Sequence, residues 1–160
     1  MSAAPPTPER IVEHLTRDLA SAGLDLLRPL RVAWYNQGVE PRFRLPEPVP
    51  GALGVLIGNT RALWPALLRE LRRDAALRRA GHPVDEHVMA AVRRALAPMR
   101  ALQPEVRWAH DLPPRRYSVQ GVAVAAGLAQ VSPSNLCVHP VFGPWIALRA
   151  VVVYPLPGPP

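Results

Sequence analysis

Two short runs of this sequence, Ala52–Ile57 and Trp145–Tyr154, are apolar at nearly every position instead of every second one. A strand with one wet face alternates; a strand without alternation needs cover on both faces. Ala52–Ile57 is therefore expected inside a covered sheet, and helices must lie over it. The second run follows Leu136–His139 and a Pro/Gly-containing turn, so these segments are expected to close the fold as a hairpin of buried strands. Thr7-Pro8-Glu9 is a helix start, with a capping hydroxyl, proline at the first position and an acid in the first turn. Ile11, Leu15, Leu19 and Ala22 then recur at helical spacing, and Gly23 closes the helix. Asn59 or Thr60 is expected to cap a helix to about Ala80, and Asp85 one to about Leu102. The small residues of Ser118–Gln130 suit a buried helix or a strand, and their dense alanine favours the helix. Leu24–Tyr35 and Val106–His110 read as strands, and the four prolines of Asn36–Pro50 as an irregular crossing. Helices and strands mixed without strict alternation predict an α+β layer domain over 1–160. Residues 1–7 and 155–160 read as tails, because the proline-rich end cannot continue a strand.

A chain of 160 residues buries about two thirds of its unfolded surface, so it needs neither disulfide nor metal to fold. Its one cysteine, Cys137, has no internal partner, which fits a reducing cytoplasm. No apolar run reaches membrane-spanning length, and Met1–Thr7 shows no basic start and no apolar core of a signal peptide. The net charge of +7 comes with 19 basic residues, all arginine. Arg69, Arg72, Arg73, Arg78 and Arg79 interleave with Leu68, Leu71 and Ala75–Leu77, the pattern of a solvated helix face, so no nucleic-acid partner is expected.

Motifs of known chemistry are sparse. Gly54–Thr60 lacks the spacing and lysine of a phosphate loop, and no nucleophile elbow occurs. His82, His87, His110, Cys137 and His139 contain one close pair, Cys137 and His139, too few for a zinc site. Cys137 is either a small buried hydrophobe or a thiol lining a pocket. Arg149, inside an apolar strand, is costly to bury unpaired. It either meets a carboxylate at the sheet edge or points into a pocket to hold an anion. Trp34, Tyr35 and Trp145 offer flat apolar walls for a core or a pocket. Residue pattern alone yields no reaction.

The motifs Val32-Ala33-Trp34-Tyr35-Asn36 with Phe43-Arg44-Leu45-Pro46, His82-Pro83-Val84-Asp85-Glu86, Arg115-Arg116 with Gln120, and Cys137 through Arg149 occur in this order. Together they resemble the CblC family of cobalamin-processing proteins, with the chain as a short, bacterial-type member. The resemblance runs from about Ile11 to Pro157. It implies a flavin nitroreductase-like α+β fold with a mixed or antiparallel sheet. It implies base-off binding of cobalamin and reductive removal of its upper ligand, as in a cyanocobalamin reductase: decyanation with reduced FMN or FAD, NADPH as electron source, and thiol-dependent dealkylation. Val119, Gln120, Cys137 and Leu148 match the family's corrin contacts, and Arg149 matches an arginine that holds glutathione. Trp34, Tyr35, His139 and Trp145 are expected as pocket walls. A homodimer and downstream cobalamin enzymes are the expected partners. The histidine that animal members carry on the small-residue helix is Val124 here. Those members also place further glutathione arginines beyond the closing hairpin, so glutathione is the co-substrate the resemblance supports least. A cobalamin carrier and a small flavin-dependent reductase of the same fold are the alternatives.

Overall fold

A computed structural model describes residues 6–160; Met1–Pro5, where the signal-peptide reading and most of the expected N-terminal tail fall, lie outside them. The apolar run near residue 55 forms β2 (Ala52–Asn59), buried at every position. Its neighbours are β1 (Leu26–Arg31) and β6 (Ala147–Pro157), and β3 (Glu105–Trp108) pairs with the far side of β6. The sheet order is β1-β2-β6-β3, with every pairing antiparallel.

The missing alternation in β2 and β6 has a direct cause. Leu53, Val55, Ile57, Val152 and Tyr154 face one core, built with Ile11, Leu15 and Leu19 of α1 (Pro8–Ala20) and Val88, Val92 and Ala95 of α5 (Pro83–Leu96). Leu56, Val151 and Val153 face a second core with Val32 and Tyr35 of α2 (Val32–Asn36) and Val122 and Ala123 of α6 (Val119–Ala125). Both faces of these strands are covered, as an unbroken apolar run requires.

Several expected boundaries move. Leu24–Tyr35 is not extended throughout: β1 ends at Arg31 and α2 begins at Val32. Val32 and Tyr35 stand three apart and share a core, which one helical turn satisfies and a strand does not. The helix expected from Asn59 or Thr60 to Ala80 is two, α3 (Leu63–Arg73) and α4 (Ala75–Arg79). Asp74 divides them by accepting the Ala76 and Leu77 N–H groups as a cap. His82, not Asp85, is the cap position of α5, and Pro83 takes the first turn.

The expected closing hairpin does not form. Cys137–Val138 is β5 and pairs with β4 (Gln130–Val131) in a separate ribbon, while β6 lies mid-sheet between β2 and β3. A strand that must be covered on both faces and paired on both edges has no room for a two-residue partner. Nor do residues 155–160 leave the sheet as a tail. β6 runs to Pro157, which pairs with Ala52, and Pro155 is tolerated because a register shift falls between the Ala52 and Leu53 pairings. Gly158 N–H then donates to Gly51 O at 2.8 Å, and Arg31 Nε donates to Pro159 O.

Candidate functional site

The first turn of α6 is fixed before any ligand arrives. Ser118 caps it, its Oγ accepting Gly121 N–H at 3.1 Å. Ser118 N–H donates to Tyr35 Oη at 2.9 Å, and the same hydroxyl donates to Phe43 O at 2.9 Å. Gly121 permits the crossing: a Cβ there would lie 3.0 Å from Tyr35 Cε2 and 3.1 Å from Ser118 Oγ. Tyr35, expected as a pocket wall, is instead a buried brace whose proton and lone pair are both spent on backbone. Burial raises its phenol pKa, so it stays a donor across the neutral range.

Val119 on α6, Cys137 on β5, Ile146 just before β6 and Leu148 at its start all pack, half-buried, on the core beneath α6. Three of the four residues matched to corrin contacts therefore pack against one core, which makes this side of α6 the candidate apolar patch. The fourth, Gln120, adjoins it and donates Nε2–H to Asn135 O at 3.1 Å, tying α6 to the loop before β5. Val124 lines a neighbouring cleft of about 410 Å³ with Leu128, Val138 and Pro140. Burial pushes the Cys137 thiol above its ordinary pKa, so it presents a neutral, apolar surface and not a thiolate.

Arg149 points elsewhere. The register between β2 and β6 slips by one residue there, with Ile57 opposite Ala150 and Gly58 opposite Leu148. Arg149 is the extra residue of a β-bulge, and the bulge re-aims its neighbours. Leu148 joins the α6 side, while Arg149 enters a cleft of about 180 Å³ with Asp85, Val88 and Met89 of α5 and with Trp108 and His110. Its Nε donates to Asn59 Oδ1 at 2.7 Å, and Asn59 Nδ2 donates to Thr60 O at 2.8 Å. Burial lowers the Arg149 pKa and the Asp85 charge opposes this; the guanidinium remains a cation. Leu148 also lines this cleft, so cleft and patch adjoin across one side chain.

The remaining expected walls separate. His139 Nδ1 accepts the Val141 and Phe142 N–H groups at 3.1 and 3.3 Å, so this ring shapes a turn. Trp145 is 81% exposed in the loop before β6, and Trp34 is 43% exposed on α2. Among the described residues no group of three His, Cys, Asp or Glu side chains could hold a metal ion. The bulge at Gly58 escapes the sequence reading, and Asn59, expected there as a helix cap, instead holds Arg149, although a Gly-Asn pair closing an apolar run is a bulge signal. A Cβ at Gly58 would lie 2.7 Å from Ala147 O, so only glycine lets β6 approach in this register.

No protein-family model matches the chain. It is 33% identical over 144 residues to the human cyanocobalamin reductase / alkylcobalamin dealkylase, covering 79% of this chain and 51% of the human protein. The bovine protein of the same name is 32% identical over 142 residues, covering 78% of this chain and 50% of its own length. The chicken protein of that name is 25% identical over 167 residues, covering 92% and 68%. The chain thus spans about half the length of these mammalian relatives. Among solved structures, the B12-trafficking protein CblC of C. elegans superposes with a TM-score of 0.77 at 18% identity, over 95% of this chain and 71% of that one.

Proposed function

The chain belongs to the CblC family of cobalamin-processing proteins, and from that premise we propose that it binds cobalamin base-off and removes its upper axial ligand. The observation that carries this reading is that Val119, Cys137 and Leu148, from three separate elements, all pack half-buried against one core. An apolar, largely preformed surface with a few polar groups at its edge suits a large flat ligand. Gln120 supplies such a polar edge.

The reaction is a reduction at cobalt. In decyanation the cobalt gains one electron from a donor, the carbon–cobalt bond breaks, and cyanide leaves with the bonding pair. Loss of the lower base weakens the axial field and makes the lower-valent product easier to reach. Cys137 is a neutral thiol, so the patch itself offers no reductant. Reduced FMN or FAD, recharged by NADPH, is the donor this reading assigns. The chain's part is to hold the corrin against the patch and keep water from the metal.

Arg149 fits a second role. Its cleft adjoins the patch through Leu148, and among the described residues only its Nε has a hydrogen-bond partner. The free ends of the guanidinium suit the carboxylate of a thiol such as glutathione during dealkylation. A reducing cytoplasm, a homodimer and transfer to downstream cobalamin enzymes complete this reading.

A visible-spectrum titration of cyanocobalamin with the protein tests it, followed by flavin and NADPH without oxygen. A base-off shift and then the Co(II) spectrum is the expected result. A base-off shift without reduction would make the protein a carrier. No shift would overturn corrin binding and leave a flavin-dependent reductase.

A further inference from the structure

The cation assigned to the thiol is held by an uncharged side chain, and that side chain is itself held. Asn59 is the last residue of β2, one past Gly58, and is only 6% exposed. Its Oδ1 accepts the Arg149 Nε–H at 2.7 Å, and its Nδ2 donates to Thr60 O at 2.8 Å. The amide can lie only this way round. A guanidinium has no acceptor and a carbonyl has no donor, so turning the amide over would break both bonds.

Thr60 is fixed in turn. Its N–H donates to Asp25 Oδ1 at 2.7 Å and its hydroxyl to Asp25 Oδ2 at 2.6 Å. The same hydroxyl oxygen accepts Ala62 N–H at 3.3 Å on the approach to α3. Asp25, Thr60, Asn59 and Arg149 thus form one hydrogen-bonded line from the residue before β1 into the Arg149 cleft. The acid of this line meets Thr60, and the group that meets Arg149 is neutral.

An amide in that place does something a carboxylate does not. A carboxylate would accept from Nε equally well, but it would also compensate the guanidinium charge, and an incoming anion would compete with it. The amide aims the fork and leaves its charge in place. Asp85 lines the same cleft, yet among the described residues no carboxylate forms an ion pair with Arg149.

We propose that Asn59 is a positioning residue: it aims the Arg149 guanidinium into the cleft and, being uncharged, leaves it available to the carboxylate of a thiol. This rests on the thiol role proposed for Arg149. Locking a functional side chain through the bonds of its neighbours is how a site keeps its geometry before the ligand arrives.

Thiol-dependent demethylation of methylcobalamin by the whole chain, without oxygen, tests this. KM is measured for glutathione and for 2-mercaptoethanol, which has no carboxylate. The parent is expected to prefer glutathione. Asn59→Asp keeps an acceptor for Nε, yet it is expected to shift the ratio of the two KM values against glutathione by at least about tenfold, the weight of one hydrogen bond between charged groups. Asn59→Ala removes the acceptor and is expected to shift the ratio in the same direction. Melting temperature and the base-off shift report whether each variant folds; if Asn59→Asp does not, Asn59→Ala decides. A purely structural Asn59 predicts a ratio that stays put, because both KM values then move together. That result would overturn the proposal while leaving the role of Arg149 intact, provided Arg149→Ala loses the preference for glutathione. A parent without that preference, or an Arg149→Ala variant that keeps it, would overturn the thiol reading and this inference with it.

Discussion

Arg149 shows how one side chain separates two tasks. It lines a cleft that contains neither Val119 nor Cys137, held at Nε by Asn59 and drawn toward Asp85. Arg149→Ala should therefore cut thiol-dependent dealkylation while sparing the corrin. A hydrogen bond to a charged group contributes about 1.5–3 kcal/mol, so the expected loss is roughly 10- to 150-fold in activity at limiting thiol. Cobalamin affinity, measured from the base-off shift, should stay within about twofold of the parent. Equal loss of both would make Arg149 a structural residue. The sequence shows that an arginine in an apolar strand needs a partner or a ligand. It does not show that the partner is an asparagine ninety residues away, because side-chain direction depends on a bulge in the register.

At the scale of elements, that bulge is the decisive local event. Gly58 lets the carbonyl of Ala147 approach where any Cβ would clash, and Leu148 then turns toward α6. Gly58→Ala should cost about 1–3 kcal/mol of stability, the usual cost of overpacking. It should also weaken cobalamin binding, because Leu148 leaves the patch; denaturant unfolding and the spectral titration read the two effects separately. A variant that loses stability but keeps full affinity would show that Leu148 is not held there by the bulge. β2, and α1 with its Thr7 cap, were legible from residue pattern, since burial and capping are local signals. The partner of β5 was not. A two-residue strand carries too little pattern to name its neighbour, and proximity in sequence favoured β6.

For the molecule as a whole, β6 is the keystone: it pairs with β2 and β3 and feeds both cores. The final residues belong to this strand and its ties, from Pro157 against Ala52 to Gly158 against Gly51. Removing residues 155–160 should lower stability by about 1–3 kcal/mol, one or two net hydrogen bonds and their burial. That corresponds to roughly 2–12 °C in melting temperature for a chain of this size. An unchanged transition would show these contacts to be neutral. The proline count argued for a loose end; the register shift that accommodates Pro155 is a property of the paired strands and has no signature in the tail itself.

One phenol oxygen joins two regions far apart in sequence. Tyr35 Oη holds the Phe43 carbonyl of the proline-rich crossing and the Ser118 N–H that begins α6. A ligand that draws α6 loads the same pair of bonds. Any coupling this creates is mutual: what steadies the crossing steadies the helix, and the effect is equal in both directions. In this way a rigid joint, with no moving lid, makes the crossing part of the stiffness of the corrin patch.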